Sequence, residues 1–155
     1  MDALLTAIVL WLSINFGIPA NYDHPRIEVV PSIEIAFLRY EAFTAQAQRE
    51  VLASYANANG PGSRREVVAV YDDRRNRILL PQGWAGQSPA ELSVLVHEMV
   101  HHLQKSSGLR YACPAQREKL AYEAQEKWLG LFGLNLQEEF EIDAFTLKVS
   151  TACGF

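Results

Sequence analysis

Along the chain the apolar positions change period several times, and each change marks an element. From Leu4 to Phe16 they run almost without interruption, with Leu4, Leu5, Ile8, Val9, Trp11 and Leu12 among them. That density predicts a buried structural helix, with Asp2 placed to cap its start and Gly17 and Pro19 to end it. Ile27 to Val30 alternate enough for a short strand bounded by Pro25 and Pro31. Ile33, Phe37, Tyr40, Phe43 and Ala47 then fall at helical spacing, predicting a long amphipathic helix over 33–51. Asn57 to Ser63 reads as a loop by its turn residues. Val67 to Tyr71 and Arg77 to Leu80 are β-rich runs around Asp72-Asp73, the pattern of a hairpin whose second strand stops at Pro81. Three helices follow. Ser88 caps one that opens at Pro89 and runs to about Lys105, Pro114 opens another that ends near Gly130, and a last one is expected from Leu136 to about Thr151.

Helices dominate this list, so the expected fold is α+β: a single helix-rich domain over 1–155 with a small antiparallel sheet in its first half. At 155 residues the chain is long enough for a proper core. A hydrophobic share of 49% beside 21% charged residues is ordinary globular usage, which excludes disordered, collagen-like and coiled-coil readings. The net charge of −4 lacks the basic footprint of a nucleic-acid binder. Arg64, Arg65, Arg74, Arg75 and Arg77 form a local basic spot, read as solvating the hairpin and the loop before it.

The uncharged stretch from Ala3 to Ala20 resembles the apolar part of a secretory leader. Asp2 in place of a basic residue, the polar Thr6, Ser13 and Asn15, and the lack of a small-residue cleavage site at Ile18-Pro19-Ala20 predict a core helix instead. No integral membrane span is expected. The two cysteines, Cys113 and Cys153, are expected to pair and tie the C-terminal tail to the helix opening at Pro114, which implies a periplasmic or secreted protein.

Three of the four histidines fall in Val96-His97-Glu98-Met99-Val100-His101-His102. His97, Glu98 and His101 make HExxH. Residues four apart on a helix lie one turn apart on one face, so His97 and His101 can offer two imidazoles to one metal ion. Glu98, about 100° round from His97, stands beside the ion as a base for water. On the helical wheel Leu92, Leu95, Val96, Met99 and Leu103 form the core face, and the two histidines point to the other side with Val94 and Gln104. His102 could orient Glu98, although packing is the expected role. A catalytic zinc site takes three protein ligands. Gln104 and Ser107 exclude the HExxHxxGxxH continuation. Glu118 and Glu123, on the next helix, are the candidates for the third ligand, and being five apart they cannot share one face. Asp143 is a further carboxylate that could support a ligand, and Cys113 a remote fourth ligand.

HEMVH followed by Glu118-x-x-Ala121-Tyr122 resembles the zincin metallopeptidases, specifically the gluzincins, and over about Val67 to Gly130 their minimal core, the minigluzincin. The resemblance implies that Glu118 is the metal ligand with Glu123 as fallback, and that Tyr122 stands where an Asp or Asn is usual. It leaves the first 60 residues as an addition to the core. HEMVHHLQ and AYEAQ also resemble bacterial proteins grouped only as a domain of unknown function. The activity implied is zinc-dependent hydrolysis of a peptide or flexible protein segment, with Glu98 as general base. Tyr71, Tyr111, Tyr122 or His102 would steady the oxyanion, and Arg77 to Leu80 would serve as the edge strand that pairs with substrate. The alternative is a zinc-binding domain that recognises a partner without cleaving it.

Overall fold

The computed structural model describes residues 1–39 and 69–154, together with residues 46, 49 and 53. Its elements are α1 (Asp2–Phe16), β1 (Arg26–Val30), α2 (Ser32–Arg39), β2 (Val70–Asp72), β3 (Arg77–Pro81), α3 (Pro89–Ser106), α4 (Pro114–Gly130), α5 (Leu136–Phe140) and α6 (Ala144–Ser150). The helix expected over 33–51 is present in α2, and Gln46, Arg49 and Ala53 are helical too. Its other residues lie outside the described ones, as do the loop at 57–63, Arg64, Arg65, Val67 and Val68.

Only one face of the apolar run of α1 is core, because Leu10 and Ile14 on the other face are exposed. Leu5, Ile8, Val9 and Leu12 are all but fully buried and form one cluster with Leu95, Val96, Met99, Val100 and Leu103 of α3. Each such side chain contributes about 1.5–3 kcal/mol by leaving water. The N-terminal helix therefore belongs to the same core as the HExxH helix. Asp2 is the first helical residue and not the cap, which is Met1 without a side-chain hydrogen bond. Gly17 ends the helix in the left-handed conformation. None of the helices among the described residues is long and apolar enough to cross a membrane.

The sheet departs from the expected all-antiparallel form. Its order is β1-β3-β2, with β2 antiparallel and β1 parallel to β3. The hairpin accounts for the first pairing, and the long connection from β1 through α2 permits the second. Arg77 ties the three strands, donating from Nε to Asp72 at 2.9 Å and from a terminal nitrogen to Glu28 at 2.8 Å. Arg75 adds a second bond to Asp72.

The approach to α3 is built around one carboxylate. Ser88 and Glu91 form a reciprocal capping box, and Glu91 also accepts from the main-chain N–H groups of Ala85 and Gln87. Gly86 turns here at φ +65°, where a Cβ would come within 2.5 Å of the Trp84 ring.

The helix expected from Leu136 to Thr151 is split into α5 and α6. Asn135 and Asp143 each accept a hydrogen bond from the backbone N–H three residues on, so each starts a helix. Glu141 in the left-handed conformation ends the first of them. Cys113, at the N-cap of α4, and Cys153, beyond α6, form the expected disulfide.

Burial alone would raise the Asp72 carboxyl pKa, but the hydrogen bonds from Arg77 and Arg75 outweigh it and hold the group below its ordinary range. A depressed carboxylate stabilises the fold above its unfolded pKa, and that contribution is lost as pH falls through the folded value. Asp72→Asn is expected to cost about 3 kcal/mol at pH 7, because it leaves Arg77 without its buried partner. The deficit relative to wild type should shrink as pH falls below about 4, as urea unfolding at several pH values would show.

Candidate metal centre

The centre forms where α4 lies across α3. Ala121 and Ala124 are fully buried and let α4 approach closely, while Glu118, Tyr122 and Gln125, at helical spacing, turn toward the HExxH residues. His97 and His101, on the side of α3 away from the leucines, are therefore not on an open face. They are 6% and 7% exposed, roofed by α4. His97 Nε2 lies 3.1 Å from Glu118 Oε2, and His101 Nε2 lies 3.3 Å from Glu118 Oε1. One ligand atom from each of the three residues falls within 4.8 Å of the other two, so His97, His101 and Glu118 could hold a metal ion.

The other ring nitrogens decide which atoms point at that ion. His97 Nδ1 lies 3.0 Å from Gln125 Oε1, and His101 Nδ1 lies 3.0 Å from Gln104 Oε1. Both amides are themselves oriented. The Gln104 NH2 donates to the Arg117 carbonyl, which can only accept. The Ser93 hydroxyl spends its proton on the Ala90 carbonyl and accepts from the Gln125 NH2. Each amide oxygen is thus left facing an imidazole, each imidazole donates from Nδ1, and both Nε2 atoms face Glu118. The donor set fits a divalent ion with nitrogen and carboxylate preference.

The three groups also interact strongly with one another. Burial would raise the Glu118 carboxyl pKa, but hydrogen bonds from His101 and His97, and then their charges, draw it far below its ordinary range. Burial would lower the His101 pKa, and the Glu118 hydrogen bond with the charges of Glu98 and Glu118 raises it instead.

Glu98 stands apart from the ligand group. It is 6% exposed, and its Oε2 accepts the Tyr71 main-chain N–H at 2.8 Å. That N–H belongs to β2, an edge strand, whereas β3 is paired on both sides. Among the described residues the free edge beside the site is thus β2 and not Arg77 to Leu80, because the parallel partner β1 occupies the far side of β3. A cavity of about 390 Å³ opens against Val70, Tyr71 and Asp72 of this strand, walled also by Leu38 and Arg39.

The remaining expectations sort by position. Glu123 is exposed and outside the group. Cys113 is consumed by the disulfide and cannot be a ligand. Asp143 caps α6. His102 does not reach Glu98; it is buried against the Tyr71 ring and donates to the Asp23 carbonyl at 2.9 Å. The Tyr71 hydroxyl is taken up by Asn76. Tyr122 packs edge-on to His97 with ring centres 4.7 Å apart. Burial, and then the charges of Glu118 and, more weakly, Glu98, raise its pKa, so it stays a hydrogen-bond donor. Gln104 and Gln125 had no role assigned from sequence. The spacing that put Gln104 beside His101 on the wheel was a usable signal, and Gln125, seven residues after Glu118, was another.

A family model described as "Domain of unknown function (DUF6647)" matches residues 42–154. No curated protein and no solved structure matches the chain.

In a zinc titration monitored with a chromophoric chelator, His97→Ala should abolish stoichiometric binding. Gln125→Leu and Gln104→Leu should each weaken it about 10–100-fold. Glu123→Gln should leave it unchanged. Full retention by His97→Ala would overturn the site.

Proposed function

The chain belongs to the DUF6647 family, and from its metal centre we propose that it is a zinc-dependent metallopeptidase of the gluzincin kind, working in the periplasm or outside the cell. One observation carries the reading. Three protein donors converge, and a fourth titratable group, Glu98, lies next to them in the chain yet outside the donor set. Three ligands plus a separate carboxylate is the inventory of a catalytic zinc site, whereas structural zinc takes four protein ligands. The disulfide supports the compartment, since such bonds persist where thiols are oxidised.

His97, His101 and Glu118 would hold the ion. When bound, zinc supplies a Lewis acid that polarises a carbonyl and acidifies water. Glu98 would serve as general base and then general acid, carrying one proton from the attacking water to the leaving amine. The Tyr71 N–H pins one Glu98 oxygen and so keeps the other from swinging away. Tyr122 is the tyrosine of choice for hydrogen-bonding the oxygen of the attacked carbonyl, because its ring abuts His97 and its proton is retained. An extended substrate would lie along β2, the edge whose amide already meets Glu98. The described elements add no second wall of any size to the cleft, which favours a short peptide or a flexible segment.

Glu98→Gln is expected to keep one zinc per chain and to lose at least about 10²–10⁴-fold in turnover of an unstructured peptide library followed by mass spectrometry. Tyr122→Phe should lower kcat more than it raises KM. If wild-type protein loaded with zinc cleaves nothing in the library, the reading as a non-cleaving zinc-binding module replaces this one.

A further inference from the structure

Beyond His101 the metal-facing side of α3 continues through Gln104 and Lys105, and the turn after the helix adds Gly108. With the start of α4 these residues enclose a second pocket, of about 250 Å³, which is also lined by Tyr111, Arg117 and Asp73. It is smaller than a typical cofactor or drug site, and its size suits one side chain or a chain end.

The pocket's charge is unbalanced. Lys105 and Arg117 face one acidic residue, Asp73. Among the described residues neither cation's side chain makes an ion pair or a hydrogen bond. Arg117 is nonetheless partly buried, and a partly desolvated guanidinium without a partner is a standing site for an anion. Burial raises the pKa of Tyr111, while Gln104 and then the Arg117 charge oppose the rise. The pocket also joins the metal centre through shared parts. Gln104 lines the pocket and holds His101 Nδ1, while the Arg117 carbonyl holds Gln104 and the adjacent residue, Glu118, is a metal-group carboxylate.

We propose that this pocket, walled by Lys105, Tyr111 and Arg117, is a carboxylate-binding subsite that selects peptides bearing an acidic side chain or a free C-terminal carboxylate beside the bond held at the metal group. The peptide part of this statement rests on the proposed peptidase activity; carboxylate capture by Arg117 does not. Arg117 offers paired N–H donors that match a carboxylate, Lys105 adds a point charge from the facing helix, and the Tyr111 hydroxyl supplies a neutral donor between them. Gln104, which lines the pocket and holds His101, joins the subsite to the centre, so the subsite would read a neighbouring position of the same substrate.

Binding, not turnover, tests it. Three N-acetylated alanine-based peptides are compared by NMR titration of zinc-loaded Glu98→Gln protein. One ends in an amide with an internal Glu, one ends in a free carboxylate, and one ends in an amide with Gln in place of Glu. At least one carboxylate peptide should bind about tenfold or more tightly than the neutral one, shifting resonances of residues 104–111 and 117. Whichever of the two wins identifies the source of the carboxylate. Arg117→Gln should abolish the preference, the exposed Lys105→Gln should reduce it, and Arg117→Lys should restore part of it. Equal affinity for all three peptides would overturn the proposal, as would a preference that survives Arg117→Gln, since the carboxylate would then be sitting on the metal. Absence of turnover in wild-type protein with carboxylate binding intact would sink the peptidase reading and leave this subsite standing.

Discussion

Everything at the centre depends on how closely α4 can lie on α3. A carboxylate 17 residues beyond His101 in the chain reaches both Nε2 atoms only because Ala121 and Ala124 put no bulk between the helices. The same contact delivers Gln125 to His97, and the chain just before Glu118 delivers a carbonyl to Gln104. Ligand placement and ligand orientation thus come from a single helix pair. The disulfide reinforces it, because Cys113 caps α4 and is pinned to the tail through Cys153. In the chain-entropy picture a bridge of this span contributes about 3–4 kcal/mol.

The amides give the histidines an unusual support. A metal-bound imidazole is commonly backed by a carboxylate or a main-chain carbonyl, whereas here both are backed by neutral side-chain amides. An amide fixes the tautomer without adding charge. The negative charge near the group is then that of Glu118 and Glu98, one bridging the two imidazoles and one held aside by the Tyr71 N–H. That separation keeps Glu98 outside the donor set, as the proposed role in proton transfer requires. It rests in turn on the sheet, since Arg77 anchors β2 through Asp72 and β1 through Glu28. A β2 held less firmly would release the N–H that meets Glu98.

Much of this was legible in the residues. The HExxH spacing, Ser88 before Pro89, Pro114 before a helical run and the turn at Asp72-Asp73 are local signals, and each appears in the structure where its local physics puts it. Errors arose where the outcome depends on a partner distant in sequence. β3 looks like any hairpin arm, and its burial between two strands depends on β1, some 50 residues earlier. Asp143 is the exception, since the N–H that makes it a cap is local, three residues on at Thr146. Gln104 and Gln125 carry no charge, and although their spacing places each on the face of its helix that carries the site residues, which imidazole each one supports is fixed only when the helices meet.

The sequence by itself determined most of the elements, the HExxH pair, the apolar face of α1 and the pairing of the two cysteines. Helical spacing, turn chemistry and apolar density are properties of neighbours along the chain, and they need no knowledge of the rest. Only the tertiary structure decided that Glu118 and not Glu123 faces the histidines, that β2 is the edge beside Glu98, and that a cationic pocket adjoins the centre. Those choices depend on the rotation of one helix against another and on the order of strands in a sheet. Packing of distant segments settles both, and no local preference encodes either.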